Sequence, residues 1–311
     1  MTTAGRDQVT EWFDTHRGQL RGLAYRMLGS LSDVDDALQE TWLRASRADP
    51  SSILNPGAWL RTILARVCLN MLRARGSRRE EPLELYLPEP LVSPFPDGDP
   101  EGQALLAESV GLALLVVLRT LTPAERLAFV LHDVFDVSFP EIAPILERTP
   151  AAARQLASRA RRRVQRASTV PDVDLGSQRR IVDAFFAAAR SGDMDGLVTI
   201  LDRDVVLRAD FGTGRPLVAR GVADVTRYAR APRGAEAIPA LVNGGAGAVI
   251  VRSRRIFAVL AFSVQRGRIT EIYGYGGPGH LRHIGLATLI GAIDELPDGG
   301  DREPDSGLTL G

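Results

Sequence analysis

Between Pro150 and Arg166 the sequence PAAARQLASRARRRVQR carries Arg154, Arg159, Arg161, Arg162, Arg163 and Arg166, with Gln155 and Ser158 among them and no acid. Guanidinium forks match phosphate oxygens and guanine edges, and a glutamine amide matches adenine, so this set suits contact with a nucleic-acid duplex. A second pattern is laid over the first. Ala153, Leu156, Ala157, Ala160 and Val164 recur at helical intervals and form a narrow stripe of small residues suited to close packing on another helix. Arg154, Gln155 and Ser158 then fall near the helix N-terminus, where base edges are reached. Arg159, Arg162 and the later arginines follow where phosphates lie.

Such a helix needs a support and a turn. Ser138 precedes FPEIAPIL as a cap, Thr149-Pro150 opens the arginine helix, and Glu147 and Arg148 remain for the turn between them. Two capped helices around a short turn are the pattern of a helix-turn-helix. A solvated basic helix is the plainer explanation of the arginines alone; the caps, turn length and apolar stripe together favour DNA.

The chain from about residue 6 to 79 reads as helices only. Leu20, Leu23, Ala24, Met27 and Leu28 define one apolar face, and Gly29 ends that helix. Ser32 is the expected N-cap of the next, with Asp33, Asp35 and Asp36 at its positive end and Val34, Ala37, Leu38, Trp42 and Ala45 on its apolar face. A third helix starts at Asn55-Pro56 and is expected to stop at Gly76. Arg73, Arg75, Arg78 and Arg79 gather at its end, either completing the helix dipole or touching a second stretch of DNA.

From Glu80 to Gly102 there are six prolines, seven acids and no arginine, which predicts an extended linker. Helical pattern resumes near Gln103. Beyond about Gly176, two helices lead into β-rich runs, DVVLRAD, ALVNGGAGAVIVR, RIFAVLAFSVQRG and RITEIYGYG, and predict an α+β domain. The last stretch, 294–311, is expected to be a disordered tail.

Whole-chain composition sets the frame. In 311 residues, 38 basic residues, all arginine, balance 38 acids, so net charge does not argue for any partner and the electrostatics must be taken segment by segment. The single cysteine, Cys68, excludes an internal disulfide and fits a buried core position. Four histidines offer no metal-ligand spacing, and no cofactor is expected. With no signal-peptide pattern and no apolar run of about 18 residues, a soluble, cytoplasmic protein without a membrane partner is expected.

The succession SDVDDALQETWLRA, NPGAWLRTILARVCLNMLRARGSRREE, YLPEPL and LTPAERLAFVLHDVFDVSFPEIAPILERTPAAARQLASRARRRV closely resembles extracytoplasmic-function sigma factors of the sigma-70 family. The resemblance implies a multidomain fold of two all-α sigma modules, region 2 over 6–79 and a region 4 helix-turn-helix over 105–168, joined by a linker over 80–104. Core RNA polymerase, through its β′ clamp helices and β flap, and promoter DNA become the implied partners. Asp35, Asp36, Gln39 and Glu40 would contact the polymerase. Asn55, Arg61, Arg66, Asn70 and Arg73 would serve the minus-ten element, with the loop from Asp49 to Asn55 holding an unstacked base. Arg154, Gln155, Ser158, Arg159 and Arg162 would serve the minus-thirty-five element. Trp59, with Ile63 and Val67 beside it, suits core packing better than base stacking.

Residues 176–293 resemble the SnoaL-like cone fold, and the combination points to the sigma-J-type group. A DGGGK-like motif of that group corresponds here to Asp210-Phe211-Gly212-Thr213-Gly214-Arg215, and an NPDKL-like motif to Gly276-Gly277-Pro278-Gly279-His280-Leu281. Asp210, Gly212, Gly214, Arg215, Tyr273, Gly277 and His280 are the implied regulatory contacts. Cone folds also host enzymes, which makes Asp210, Tyr273, Tyr275, His280 and His283 candidate acid-base groups. No spacing in the sequence shows them converging on one pocket, so a non-catalytic tail that modulates the sigma modules is expected, with a small-molecule ligand of the cone pocket as a further partner class. A free-standing helix-turn-helix regulator with a sensing tail, and a cone-fold enzyme fused to a DNA-binding region, are the alternatives.

Overall fold

The computed structural model describes residues 3–77, 87–94, 111–167, 174–212, 216–229, 234–277 and 281. The first module consists of α1 (Thr3–Leu28), α2 (Leu31–Ala45) and α3 (Pro56–Ser77). Leu20, Leu23, Ala24, Met27 and Leu28 are all buried, as their period requires. Gly29 takes φ +69° and turns the chain at once. The cap of α2 is consequently Ser30, whose hydroxyl accepts from Asp33 N, and Ser32 lies inside the first turn rather than capping it. Nor does Gly76 stop α3, which continues through Ser77. One interior glycine costs about 1 kcal/mol relative to alanine, and the buried row Leu60, Leu64, Val67, Cys68 and Leu72 holds the helix regardless. On α2 the buried face includes Thr41, which donates to Ala37 O at 2.7 Å, while Trp42 is only half-buried beneath the Arg6 guanidinium.

The second module contains α4 (Leu112–Arg119), α5 (Pro123–Phe129), a π turn at Val130–Val134, α6 (Phe139–Leu146) and α7 (Pro150–Ala167). Thr122 with Glu125, and Ser138 with Glu141, form reciprocal capping boxes. Glu147 adopts φ 56° to end α6, and Thr149 Oγ1 accepts from Ala152 N at 3.2 Å to start α7.

The tail comprises α8 (Leu175–Ser191), α9 (Met194–Ile200), β2 (Leu201–Asp210), β3 (Leu217–Arg220), α10 (Gly221–Tyr228), β4 (Ala235–Val242), β5 (Gly245–Arg252), β6 (Arg255–Gln265) and β7 (Arg268–Gly276). The run ALVNGGAGAVIVR is two strands, not one: Asn243 and Gly244 both take positive φ, at 52° and 75°, and close a two-residue hairpin. The linker supplies a further strand, β1 (Val92–Pro94), paired antiparallel with Val242, Leu241 and Ala240. The described strands form one sheet in the order β1-β4-β5-β6-β7-β2-β3, with β2 and β7 parallel.

Strand alternation gives this sheet two apolar faces. Leu207, Ala209, Phe262 and Ile272 lie under Val182 and Phe185 of α8. Val249, Val251, Val259, Ala261, Tyr273 and Tyr275 face the other way and join one continuous core with both helical modules. The expected fold class, two all-α modules followed by an α+β cone domain, is the one observed.

Candidate nucleic-acid interface

On α7, Ala153, Ala157 and Ala160 are buried while Arg154, Gln155, Arg159 and Arg162 are exposed and Ser158 is half-buried. The Arg154 guanidinium lies 5.3 Å from the centre of the Phe139 ring, which holds it at the mouth of the turn. Two arginines assigned to phosphates from the sequence have other work. Arg161 donates from Nε to Asp133 Oδ1 at 2.8 Å, and Arg163 donates to the buried Glu125 carboxylate at 2.8 Å. These acids come from far upstream, so the acid-free window around α7 concealed them.

On α3, Asn55 Oδ1 accepts from Ala58 N at 3.0 Å and caps the helix. Arg66, Asn70 and Arg73 are exposed along one side. Arg61 is half-buried, and its charge acts on Glu141 of α6. Hydrogen bonds from Ser138 come first, and Arg61 adds to them, in holding the Glu141 carboxyl below its usual range. Arg75 forms an ion pair with Asp33 of α2 and is therefore a structural residue; Arg78 and Arg79 lie outside the described residues. Trp59 packs, half-buried, against the shared core. On α2, Asp35, Asp36 and Gln39 are exposed and Glu40 is half-buried. Asp35 pairs with Arg21 at 2.6 Å and Glu40 with Arg44 at 2.7 Å, exposed pairs of the kind worth at most about 1 kcal/mol.

In the tail, Asp210 and Tyr275 are register partners, as are Arg208 and Tyr273, so all four lie on the sheet face that meets the helical modules. Tyr273 donates to Glu271 Oε2 at 2.6 Å, and Arg208 donates to Glu271 Oε1 at 2.9 Å. Burial first, and then the Glu271 charge, raise the Tyr273 phenol well above its usual value. The two stretches aligned with the group's motifs meet: a Cβ on Gly276 would collide with the Phe211 ring, and one on Gly277 with the Phe211 carbonyl oxygen. Gly212 N donates to Asp210 Oδ1 at 2.9 Å. Gly214, Arg215, His280 and His283 lie outside the described residues. A cavity of about 130 Å³ between α8 and the β4-β5 hairpin is lined by Val182, Asp183, Phe186, Arg190, Pro239 and Gly247, among others.

Sequence reasoning missed the junction where the modules meet. Glu89 of the linker accepts from Leu31 N at 2.6 Å and from Ser30 Oγ at 3.1 Å, so a linker carboxylate sits on the positive end of α2. Tyr25 donates to Glu89 O at 2.6 Å and accepts from Asn243 Nδ2 at 2.8 Å. Asn243 also exchanges two bonds with Leu91, N to Leu91 O at 2.8 Å and Oδ1 from Leu91 N at 3.1 Å. Beside them Arg126 of α5 donates to Met27 O at 2.6 Å and to Arg119 O at 3.1 Å. Burial, together with the Arg119 and Arg75 charges, pushes the Arg126 guanidinium down to about 9. The acidic linker motif and the Asn-Gly dipeptide were visible signals; that they touch was not.

Residues 12–78 match the model of sigma-70 region 2, and residues 111–164 that of sigma-70 region 4. The chain is 37% identical over 291 residues to the ECF RNA polymerase sigma factor SigJ of Mycobacterium tuberculosis, covering 87% of this chain and 92% of that protein. It is 32% identical to the probable ECF RNA polymerase sigma factor SigI of the same species, over 86% and 92% of the two chains. The crystal structure of the M. tuberculosis SigJ protein superposes with a TM-score of 0.69 at 31% identity, over 89% of this chain and 99% of that one.

Proposed function

The chain belongs to the extracytoplasmic-function RNA polymerase sigma factors, which bind core polymerase and direct it to promoters, and from that premise we propose that its fused tail holds the two promoter-reading modules closed until polymerase takes up the linker. Geometry supplies the reason. Elements named minus ten and minus thirty-five lie about 25 base pairs apart, about 85 Å of duplex at 3.4 Å per pair. Here α3 touches α5 and α6, and α7 packs on the same two helices. Two helix contacts at the usual interaxial spacing put the axes of α3 and α7 no more than about 20 Å apart. A protein in this arrangement reads one element at most.

The observation that carries the proposal is the linker's double engagement. Residues 87–94 cap α2 through Glu89 and pair with β4 through Val92–Pro94, so the same segment is bonded to the first module and to the tail. A linker drawn into the polymerase must leave both. Asp35, Asp36, Gln39 and Glu40 are assigned to the β′ clamp helices and the second module to the β flap. Asn55, Arg66, Asn70 and Arg73 are assigned to the minus-ten element, with Arg61 joining them once α6 withdraws. Arg154, Gln155, Ser158, Arg159 and Arg162 are assigned to the minus-thirty-five element.

Among the described residues, the placement of the acid-base candidates gives catalysis by the tail no support. Asp210, Tyr273 and Tyr275 are buried against the helical modules, and the Tyr273 proton is committed to Glu271. The cavity between α8 and the β4-β5 hairpin is smaller than the about 300 Å³ that ligand sites commonly enclose. Run-off transcription on genomic fragments with purified core polymerase tests the function. Wild type should select discrete start sites, and Asn243→Gly should raise output from the same sites. Unchanged output would remove the clamp.

A further inference from the structure

We propose that the acidic stretch 294–305 lies on the arginine face of α7 in the free chain, in the place that promoter DNA takes, and acts as a built-in competitor of the minus-thirty-five reader. The inference rests on the assignment of α7 to the minus-thirty-five element and adds an occupant for that surface before DNA arrives. Arg154, Arg159, Arg162 and Arg166 are exposed and, unlike Arg161 and Arg163, enter no ion pair among the described residues. At about 100° per residue the four fall within about 140° of azimuth, opposite the buried Ala153, Ala157 and Ala160.

Four like charges on one face of a helix repel one another and draw anions. Across the whole chain 38 basic residues balance 38 acids, so the charge that matches this face lies elsewhere in the sequence. The stretch 294–305 carries Asp294, Glu295, Asp298, Asp301, Glu303 and Asp305 against Arg302 alone, six acids and one arginine with a net charge of −5. The rival occupant is the linker, with seven acids and no arginine over 80–102. It is already held, since Glu89 caps α2 and Val92–Pro94 pairs with β4.

Reach permits the contact. Residues 294–311 lie outside the described residues, but Leu281, thirteen residues before Asp294, packs against the same core as Ala153, Ala157 and Ala160 of α7. An extended chain covers at most about 3.5 Å per residue, so thirteen residues span up to about 45 Å. A 311-residue globule has a radius of gyration of about 20 Å, which leaves every face of the second module within range. Tethering then does the rest. A joined segment acts at an effective concentration of about 1 mM. Against a dissociation constant of about 0.1 mM, the weak limit of non-specific polyanion binding, that concentration fills the face most of the time and weakens DNA binding about tenfold. Promoter DNA still prevails, because it adds base-edge contacts that carboxylates lack.

The full-length chain is compared with a full-length neutralised variant carrying Asp298→Asn, Asp301→Asn, Glu303→Gln and Asp305→Asn. For cross-linking, both also carry Gln165→Cys, an exposed position on the arginine face, labelled with benzophenone; the buried Cys68 stays unlabelled. Irradiation without DNA should join the label to residues 283–311 of the wild-type tail. That product should fade when a duplex carrying a start site found by run-off transcription is added, and should be several-fold weaker in the neutralised variant. Fluorescence anisotropy of the same duplex with unlabelled chains should show the neutralised variant binding about tenfold more tightly at low salt, with the gap closing as salt rises. Cross-links to the linker in place of the tail, or equal affinities at low salt, would overturn the competitor. So would tighter binding by the variant with its cross-links undiminished, because the gain would then come from net charge alone. A tail that cross-links to α7 in a chain that binds no promoter duplex, neutralised or not, would instead overturn the minus-thirty-five assignment.

Discussion

The Asn243 side-chain amide donates to the Tyr25 hydroxyl at 2.8 Å, joining the hairpin turn of the tail to the first helix across 218 residues of sequence. Asn243 also bonds Leu91 in both directions, so one residue binds tail, linker and first module together. Its left-handed backbone suits an asparagine, and a glycine can hold the same conformation.

Asn243→Gly therefore removes the side chain while keeping the turn. Two buried hydrogen bonds disappear and the Leu91 amide and Tyr25 hydroxyl lose a partner, a cost of about 1–3 kcal/mol to the closed arrangement. Limited proteolysis of the free protein should cut the linker faster in this variant than in wild type. Equal cutting would mean that Asn243 does not hold the linker.

Tyr25 and Tyr275 give opposite expectations for the same chemical change. The Tyr275 hydroxyl is buried beside Tyr25 and Arg119 without a hydrogen-bond partner, whereas the Tyr25 hydroxyl makes two bonds. Tyr275→Phe should leave the thermal midpoint unchanged or raise it. Tyr25→Phe should lower it, by the equivalent of about 1–3 kcal/mol. A larger loss from Tyr275→Phe than from Tyr25→Phe would contradict the junction geometry.

Arginines on α7 should separate into two behaviours. Arg162→Ala should weaken promoter binding evenly across sequences and reduce the salt slope by about one. Gln155→Ala should relax discrimination at one base pair, by about 1–3 kcal/mol. Arg163→Ala should instead lower the thermal midpoint, because it leaves the buried Glu125 carboxylate without its cation. Binding isotherms at several salt concentrations and thermal melts divide the three.

Glu141 brings a pH dependence with a definite sign. Hydrogen bonds from Ser138, then the Arg61 charge, lower its pKa in the folded chain from the ordinary 4.5. The stability this carboxylate contributes is complete above that ordinary value and is lost as pH falls through the lowered folded value. The gap in thermal midpoint between wild type and Glu141→Gln should be constant near neutrality and shrink below about pH 4.5. A gap that widened in acid would reverse the assignment.

Much of the fold was legible because local rules decided it. The Leu20–Leu28 face, the Ser138 and Thr149 caps and the alternating strands of the tail each reflect a short-range period or a turn. Where a neighbour in sequence competed, the reading slipped by a residue or two, as at Ser30 against Ser32 and at Gly76. The long-range partners were not legible. Asp133 for Arg161, Glu125 for Arg163, Asp33 for Arg75 and Tyr25 for Asn243 are contacts between distant segments, and no periodicity announces them. Resemblance placed the Asp210 and Gly276 motifs in one functional group, and the Phe211 ring resting on Gly276 is the contact that joins them.

A free chain that is closed and opens on polymerase must change the distance between its two promoter-reading modules. Cys68 is fully buried, and burial pushes its thiol up to about 12, so dyes will attach only to cysteines introduced at exposed positions, Gln19→Cys on α1 and Glu147→Cys at the end of α6. Energy transfer between them should be high in the free protein, in keeping with modules in contact, and should collapse when core polymerase is added, as the modules move apart toward the about 85 Å that the two promoter elements require. Equal transfer with and without polymerase, or low transfer in the free chain, would contradict the account.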